Sequence, residues 1–243
     1  FYSMKKLKKM DLSKAAFILM RQNPPFNMNY ITASFLLEKI SKKTRIVNDP
    51  FAVRNMPEKL YSIEFLKLMP PTIFTRSIDE IEKFKKKYKN IVIKPTHGYG
   101  GKNILFINKS TNKKKISKYL KKHNHIMAQK FLPQIKLGDK RIFIIGGIIK
   151  GAIRRIPMKG SIVSNIGQGG KAVKTILTKS ELRIAKIVAS DLKKNQIVFA
   201  GIDLISNYLT GDINITSPTG LKNFKDLTGI DLAVDIWNYL EKN

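Results

Sequence analysis

A chain of 243 residues with 43% apolar side chains can bury a core as one large domain or two smaller ones, and it is too apolar for wholesale disorder. It holds no Cys, which excludes disulfides, thiolate zinc sites and a cysteine nucleophile, and its three histidines, His97, His123 and His125, are too few and too poorly spaced for a His-based metal cage. The formal charge of +29 points first to a polyanion, yet Lys outnumbers Arg 38 to 8 and the lysines spread along the chain, so the charge reads as compositional bias with no nucleic-acid partner.

The chain starts at Phe1 rather than Met, so a preceding segment is expected, and Lys5-Lys6-Leu7-Lys8-Lys9 reads as a solvated stretch rather than a targeting signal. No apolar run approaches the roughly 20 residues of a membrane helix, and the expected location is the cytoplasm. Residues 15–20 read as a buried strand, 29–42 as a helix with Ile31, Phe35, Leu36 and Ile40 near helical spacing, and 45–48 as a strand ended by Asp49-Pro50. A helix at 58–68 then leads through Pro70-Pro71 to a strand at 72–75, a lysine-rich helix from Ser77 and a strand at 91–94. After a glycine turn come a strand at 103–108, a helix from Thr111 and a strand at 126–130. The runs at 141–145 and 148–153 are joined by Gly146-Gly147, a hairpin signal. Residues 158–172, with four glycines, read as a long loop of the kind that forms an active-site lid, or as plain surface disorder. Hairpins that interrupt helix–strand alternation argue for an α/β protein of α+β lobes and against a parallel Rossmann sheet. The expected domains are an incomplete N-terminal α/β domain at 1–54 and a second domain at 55–243.

Two clusters carry chemistry. In Lys94-Pro95-Thr96-His97-Gly98-Tyr99-Gly100-Gly101, a lysine at a strand end aims a fixed charge into a loop whose glycines let backbone amides turn towards phosphate oxygens. The alternative is an ordinary turn. It is no P-loop, because no Gly-Lys-Ser/Thr follows. In the second cluster, Asn207, Tyr208 and Gly211 separate the strand-like run at 201–205 from Asp212-Ile213-Asn214-Ile215-Thr216-Ser217-Pro218-Thr219. Asp212 and Asn214 share a strand face, and Asp203 on a partner strand converges with them into a hard oxygen site suited to Mg²⁺. An exposed polar hairpin is the alternative there. Arg141 and Arg155, on the two arms of the expected hairpin, are placed to steady a transferred phosphoryl group.

The order of Met20-Arg21-Gln22-Asn23-Pro24-Pro25-Phe26, Lys94-Pro95, Gly98-Tyr99-Gly100-Gly101, Met127-Ala128-Gln129-Lys130-Phe131-Leu132-Pro133, Gly138-Asp139-Lys140-Arg141, Arg155-Ile156-Pro157 and the 212–219 segment resembles prokaryotic glutathione synthetase, an ATP-grasp ligase family, from about Ala15 to the last helix. The resemblance implies that Lys59 and Lys94 meet the ATP phosphates, that Gly98, Gly100 and Gly101 form the small glycine loop, and that Gln129, Lys130, Phe131 and Leu132 hold adenine through backbone groups. It places Asp139 near the ribose, and Arg141 and Arg155 around the reacting phosphate and carboxylate. Asp203, Asp212 and Asn214 become the metal ligands, and Ser217 and Thr219 hold the dipeptide. It further implies ATP and Mg²⁺ (with Mn²⁺ as a substitute), γ-glutamylcysteine and glycine as substrates, and a homo-oligomer, a tetramer in the family's pattern. The chain departs from that pattern in carrying Asp212 for Glu, Val163 for Arg and His97 for an acidic residue, and Gly211 is expected to lengthen the turn before Asp212. Rival readings are another ATP-grasp carboxylate–amine ligase, a catalytically degenerate paralogue, and a basic nucleic-acid-binding module.

Overall fold

The computed structural model describes residues 8–242. Of the N-terminal lysine run, Lys5, Lys6 and Leu7 lie outside the described residues, while Lys8 and Lys9 are exposed. Strands β1 (Phe17–Leu19) and β2 (Arg45–Val47) pair in parallel around helix α1 (Met28–Glu38). The strand expected at 15–20 is shorter and only half-buried, with Leu19 exposed. Asp49-Pro50 does not merely end β2: the Asp49 carboxylate accepts the Ala52 amide (2.8 Å) and caps helix α2 (Pro50–Asn55), with proline at the first turn, where no amide partner is needed. The helix expected at 58–68 is one turn of α-helix, α3 (Glu58–Tyr61), continued by a 3-10 segment over Ser62–Leu68.

A four-stranded antiparallel sheet follows in the order β3 (Thr72–Thr75), β6 (Ile126–Lys130), β4 (Ile91–Pro95), β5 (Leu105–Ile107). Helices α4 (Ile78–Tyr88) and α5 (Lys113–His123) cover it. Both are strongly amphipathic: Ile81, Phe84 and Ile116 are buried against Ile91, Ile93 and Ile126, while Lys86 and Lys87 and the Lys113–Lys115 run lie on the outer side. Each such isoleucine contributes about 1.5–3 kcal/mol by leaving water, so the apolar stripe holds the lobe and the lysines cost it little.

The second lobe is a five-stranded antiparallel sheet in the order β11 (Tyr208–Asn214), β10 (Phe199–Ile205), β7 (Asp139–Ile145), β8 (Ile148–Ile156), β9 (Lys171–Lys174). The β7–β8 hairpin turns at Gly146 and Gly147, whose φ angles of 57° and 79° suit a two-residue hairpin turn. Helix α6 (Lys179–Lys194) buries Ile184, Ala185, Val188 and Leu192 on this sheet. Helices α7 (Leu221–Thr228) and α8 (Leu232–Lys242) close the other side through Phe224, Leu232 and Ile236. The antiparallel sheets bear out the α+β expectation.

One local expectation changes. The β10–β11 turn is Ser206-Asn207, and Tyr208 and Gly211 lie inside β11 rather than in the turn. The extra length before Asp212 is absorbed as a bulge: Ile202 pairs with Ile213, but Leu204 pairs with Leu209. Gly211 sits there at φ +85°, and a Cβ on it would stand 2.6 Å from Met127 Cε and 2.8 Å from Met69 Cε. Only glycine fits that backbone without strain.

Candidate active site

The cleft between the two lobes collects residues from widely separated segments. Its wall contains Lys59 from α3, Lys94 from the end of β4, the Gly98–Gly101 turn, Asp139 and Arg141 from β7, Arg155 from β8, Asp203 from β10, Asp212 and Asn214 from β11, and residues 162–165 of the glycine-rich loop. Lys59 Nζ lies 3.1 Å from Asp212 Oδ1 and also donates to the Gly98 carbonyl. Lys94 Nζ lies 3.4 Å from Asp212 Oδ2 and donates to the Thr210 carbonyl at 3.1 Å. The Thr210 hydroxyl donates to the Asp203 carbonyl and to Asp212 Oδ2. Burial alone would raise the Asp212 carboxyl, but the two ammonium groups outweigh it and hold the group far below the usual carboxylate range.

Beside this lies a second charge network. Arg141 grips Asp203 with two nitrogens, Nη2 at 2.8 Å from Oδ2, and passes Nη1 to the Thr219 carbonyl at 3.2 Å. Arg155 bridges Asp203 (Nη2 to Oδ2, 2.9 Å) and Asp139 (Nε to Oδ1, 2.8 Å). All four side chains are buried. Burial disfavours each charge, but the guanidinium pair keeps Asp203 below its ordinary value, and the two carboxylates hold Arg155 firmly protonated. Asn214 donates to the Gly201 carbonyl (3.0 Å) and, at 3.4 Å, to Asp203 Oδ2.

Residues 158–170 form a folded cover. Asn165 caps a short 3-10 turn, Ile166–Gln168, and the chain then joins the sheet as β9, so the expected loop ends at Gly170. Val163 packs directly on the glycine turn: a Cβ on Gly101 would stand 2.4 Å from Val163 Cγ1. Where the family resemblance leads one to expect an arginine, this chain lays an apolar side chain on the turn.

The expected site residues divide. Lys59, Lys94, Gly98, Gly100, Gly101, Asp139, Arg141, Arg155, Asp203, Asp212 and Asn214 come together in the cleft, and Ser217 and Thr219 line an adjoining chamber. Asp139, expected beside the ribose, has both carboxylate oxygens engaged by Arg155. Gln129, Lys130, Phe131 and Leu132 are not among the residues lining the cleft. The Gln129 side-chain amide donates to Thr72 Oγ1, and the Lys130 and Phe131 backbone amides are taken by the Pro71 and Asn90 carbonyls (2.9 and 3.0 Å). Thr210, Glu58, Thr216 and Tyr30 went unnoticed in the sequence. Glu58, next to Lys59, Thr210, two residues before Asp212, and Thr216, two residues after Asn214, carried a positional hint.

Among the described residues no group of three or more Asp, Glu, His or Cys side chains gathers as a metal cluster. The donor set on β10 and β11 is two carboxylates and one amide. Asp203 Oδ1 accepts from Arg141 alone among the hydrogen bonds here, and Asp212 is held by the Lys59 and Lys94 ammonium groups and the Thr210 hydroxyl. This set of hard oxygens fits a divalent cation, and the lysines it would release fit phosphate oxygens.

The two lobes of antiparallel sheet are shared with solved structures. D-cycloserine synthetase DcsG aligns with a TM-score of 0.68 at 16% identity, over 86% of this chain and 78% of that one. The macrocyclase MdnC from Microcystis aeruginosa aligns at 0.67 and 16%, over 100% and 86%. The fold is ATP-grasp, and the chain is an ATP-dependent ligase. The family is narrower: the model of the ATP-grasp domain of prokaryotic glutathione synthetase matches residues 58–229, and that of the N-terminal domain matches residues 1–54. Glutathione synthetase of Agrobacterium fabrum is 38% identical over 246 residues (99% of this chain, 76% of that one), and that of Bradyrhizobium diazoefficiens 40% over 230 residues (93% and 72%). The chain belongs to the prokaryotic glutathione synthetase family, which uses ATP and a divalent metal. Among the described residues no helix is long and apolar enough to cross a membrane.

Proposed function

We propose that this chain joins γ-glutamylcysteine to glycine, consuming ATP and releasing glutathione, ADP and phosphate through an acyl phosphate. The observation that supports it most is the meeting of Lys59, Lys94 and Asp212 with the Arg141–Asp203–Arg155 network in one cleft, within a chain of this family. Lys59 and Lys94 hold the β- and γ-phosphates. Arg141 and Arg155 face the charge that spreads over the transferred phosphoryl group and the receiving carboxylate. Asp203, Asp212 and Asn214 would hold the divalent ion, Mg²⁺ or Mn²⁺, which would supply charge neutralisation to the phosphates. Ser217 and Thr219 position the dipeptide so that its carboxylate oxygen meets the γ-phosphorus. Residues 158–170 keep water from the acyl phosphate until the amine attacks. No step asks for a side-chain nucleophile, in keeping with a chain that has no Cys.

The proposal includes a division into an N-terminal part at 1–54 and an ATP-grasp part at 55–243, small-molecule substrates without nucleic acid, a homo-oligomeric state of tetramer type, and a cytoplasmic setting. The spread of exposed lysines over α4 and α5, away from the cleft, supports the second point. ADP release should require γ-glutamylcysteine and glycine together. Release that proceeds equally with either omitted, or with neither, would overturn the assignment.

A further inference from the structure

Next to the phosphate end of the cleft is a chamber bounded by Phe26, Tyr30, Glu58, His97 and Thr216. Lys59, Arg141, Asp212 and Asn214 line both spaces, so the two are continuous. Glu58 opens α3, and its Oε1 accepts the Thr216 hydroxyl at 2.6 Å. Its chain neighbour Lys59 is committed to Asp212 and to the Gly98 carbonyl. Tyr30, on α1, is 4% exposed, and its hydroxyl is buried without a hydrogen-bond partner. Burial, and after it the charge of Glu58, hold that phenol well above its ordinary range, and both residues line the same chamber. An orphaned buried hydroxyl costs about 1–3 kcal/mol, and a polar group kept at such a cost commonly meets a ligand.

We infer that Glu58, with the Thr216 and Tyr30 hydroxyls, receives the amino group of the amine substrate. The inference rests on the carboxylate–amine ligation proposed above. A substituted ammonium presents three N–H donors, and this corner presents a carboxylate and two hydroxyl oxygens. Burial pushes the Glu58 carboxyl above its usual range, so an ammonium partner, which restores its charge, fits it better than a substrate carboxylate does. The dipeptide's amino group is at the end remote from the carboxylate that is phosphorylated, whereas Glu58 sits beside Lys59 at the phosphate end. Glycine's amino group is the one that must be brought there.

The test is steady-state ADP release at saturating ATP for the wild type, Glu58→Gln and Tyr30→Phe, with hydroxylamine as a second nucleophile that is already neutral near pH 7. For Glu58→Gln the KM for glycine should rise tenfold or more, the KM for γ-glutamylcysteine should stay within twofold, and hydroxamate formation from hydroxylamine should continue at the wild-type rate. Tyr30→Phe deletes only an unpartnered hydroxyl, so its melting temperature should hold or rise while the glycine KM increases severalfold. A purely structural tyrosine would not produce that pair of results. Unchanged glycine KM in both variants, a rise confined to γ-glutamylcysteine, or an equal loss with hydroxylamine would each overturn the inference. A wild type that is inactive with this substrate pair overturns the ligation reading itself, and the inference with it.

Discussion

Asp212→Asn removes one charge from the centre of the cleft and keeps the side chain's shape. Lys59 and Lys94 approach the carboxylate at 3.1 and 3.4 Å, and their side chains are 7% and 8% exposed against 29% for Asp212. At an effective dielectric near 20, each contact is worth about 5 kcal/mol before desolvation is counted. Breaking a fully buried pair costs about 3–5 kcal/mol, because the remaining charge is stranded. Asp212 is partly wetted, and the amide oxygen still accepts from one lysine, so the expected loss of stability is smaller, about 2–3 kcal/mol. Denaturant unfolding without nucleotide measures it. The carboxyl is held below its unfolded value, so its contribution is complete above about pH 4–5 and fades as pH falls through the unfolded value near 3.9 towards the lower folded one. Wild type and variant should therefore converge in acid. In a Mg²⁺ titration of ADP release, the variant should need at least tenfold more metal and turn over more slowly. Superimposable Mg²⁺ curves would refute the reasoning: Asp212 would then be a clamp for the two lysines and no metal ligand.

Lys94→Ala deletes a buried charge aimed into the cleft, and calorimetry with a non-hydrolysable ATP analogue should show affinity lost by a hundredfold or more, with unchanged affinity counting against the phosphate role. Gly101→Ala combines φ +72° with a Cβ 2.4 Å from Val163 Cγ1, so residues 158–170 should lift from the glycine turn. Proteolysis within that segment should quicken and the ATP KM should rise about tenfold; wild-type values for both would mean that the cover does not depend on this contact.

Much of the fold could be read from local pattern. Ser77 before the amphipathic run, and Gly146-Gly147 between two β-branched runs, each encode an element within a few residues. Helix α6 was equally legible, since Thr178 and Glu181 form a capping box spelled out as Thr-x-x-Glu, but it is missing from the sequence expectations. Strand β9 was not legible. Its Lys171-Ala172-Val173-Lys174 has little β-propensity and is a strand only because β8 offers an edge. The bulge in β11 was likewise not legible, because Met127, Met69 and Ser62, which crowd Gly211 there and exclude a Cβ, are far away in the chain.

The site shows the same division. That Lys94, Asp203, Asp212 and Asn214 belong together could be argued from strand alternation and spacing. That Asp203 is shared by two arginines, Asp139 is closed off by Arg155, and the amides of Lys130 and Phe131 are already engaged depends on tertiary pairing that no local pattern encodes.

The central claim is that a carboxylate is activated by phosphorylation in this cleft and then captured by an amine. γ-Glutamylcysteine carrying ¹⁸O at both oxygens of its cysteinyl carboxylate tests it directly, with the released phosphate analysed by mass spectrometry. The account predicts one ¹⁸O atom in the phosphate for each glutathione formed, since the acyl phosphate's bridging oxygen leaves with the phosphorus when glycine attacks. Phosphate free of ¹⁸O alongside glutathione formation would contradict it.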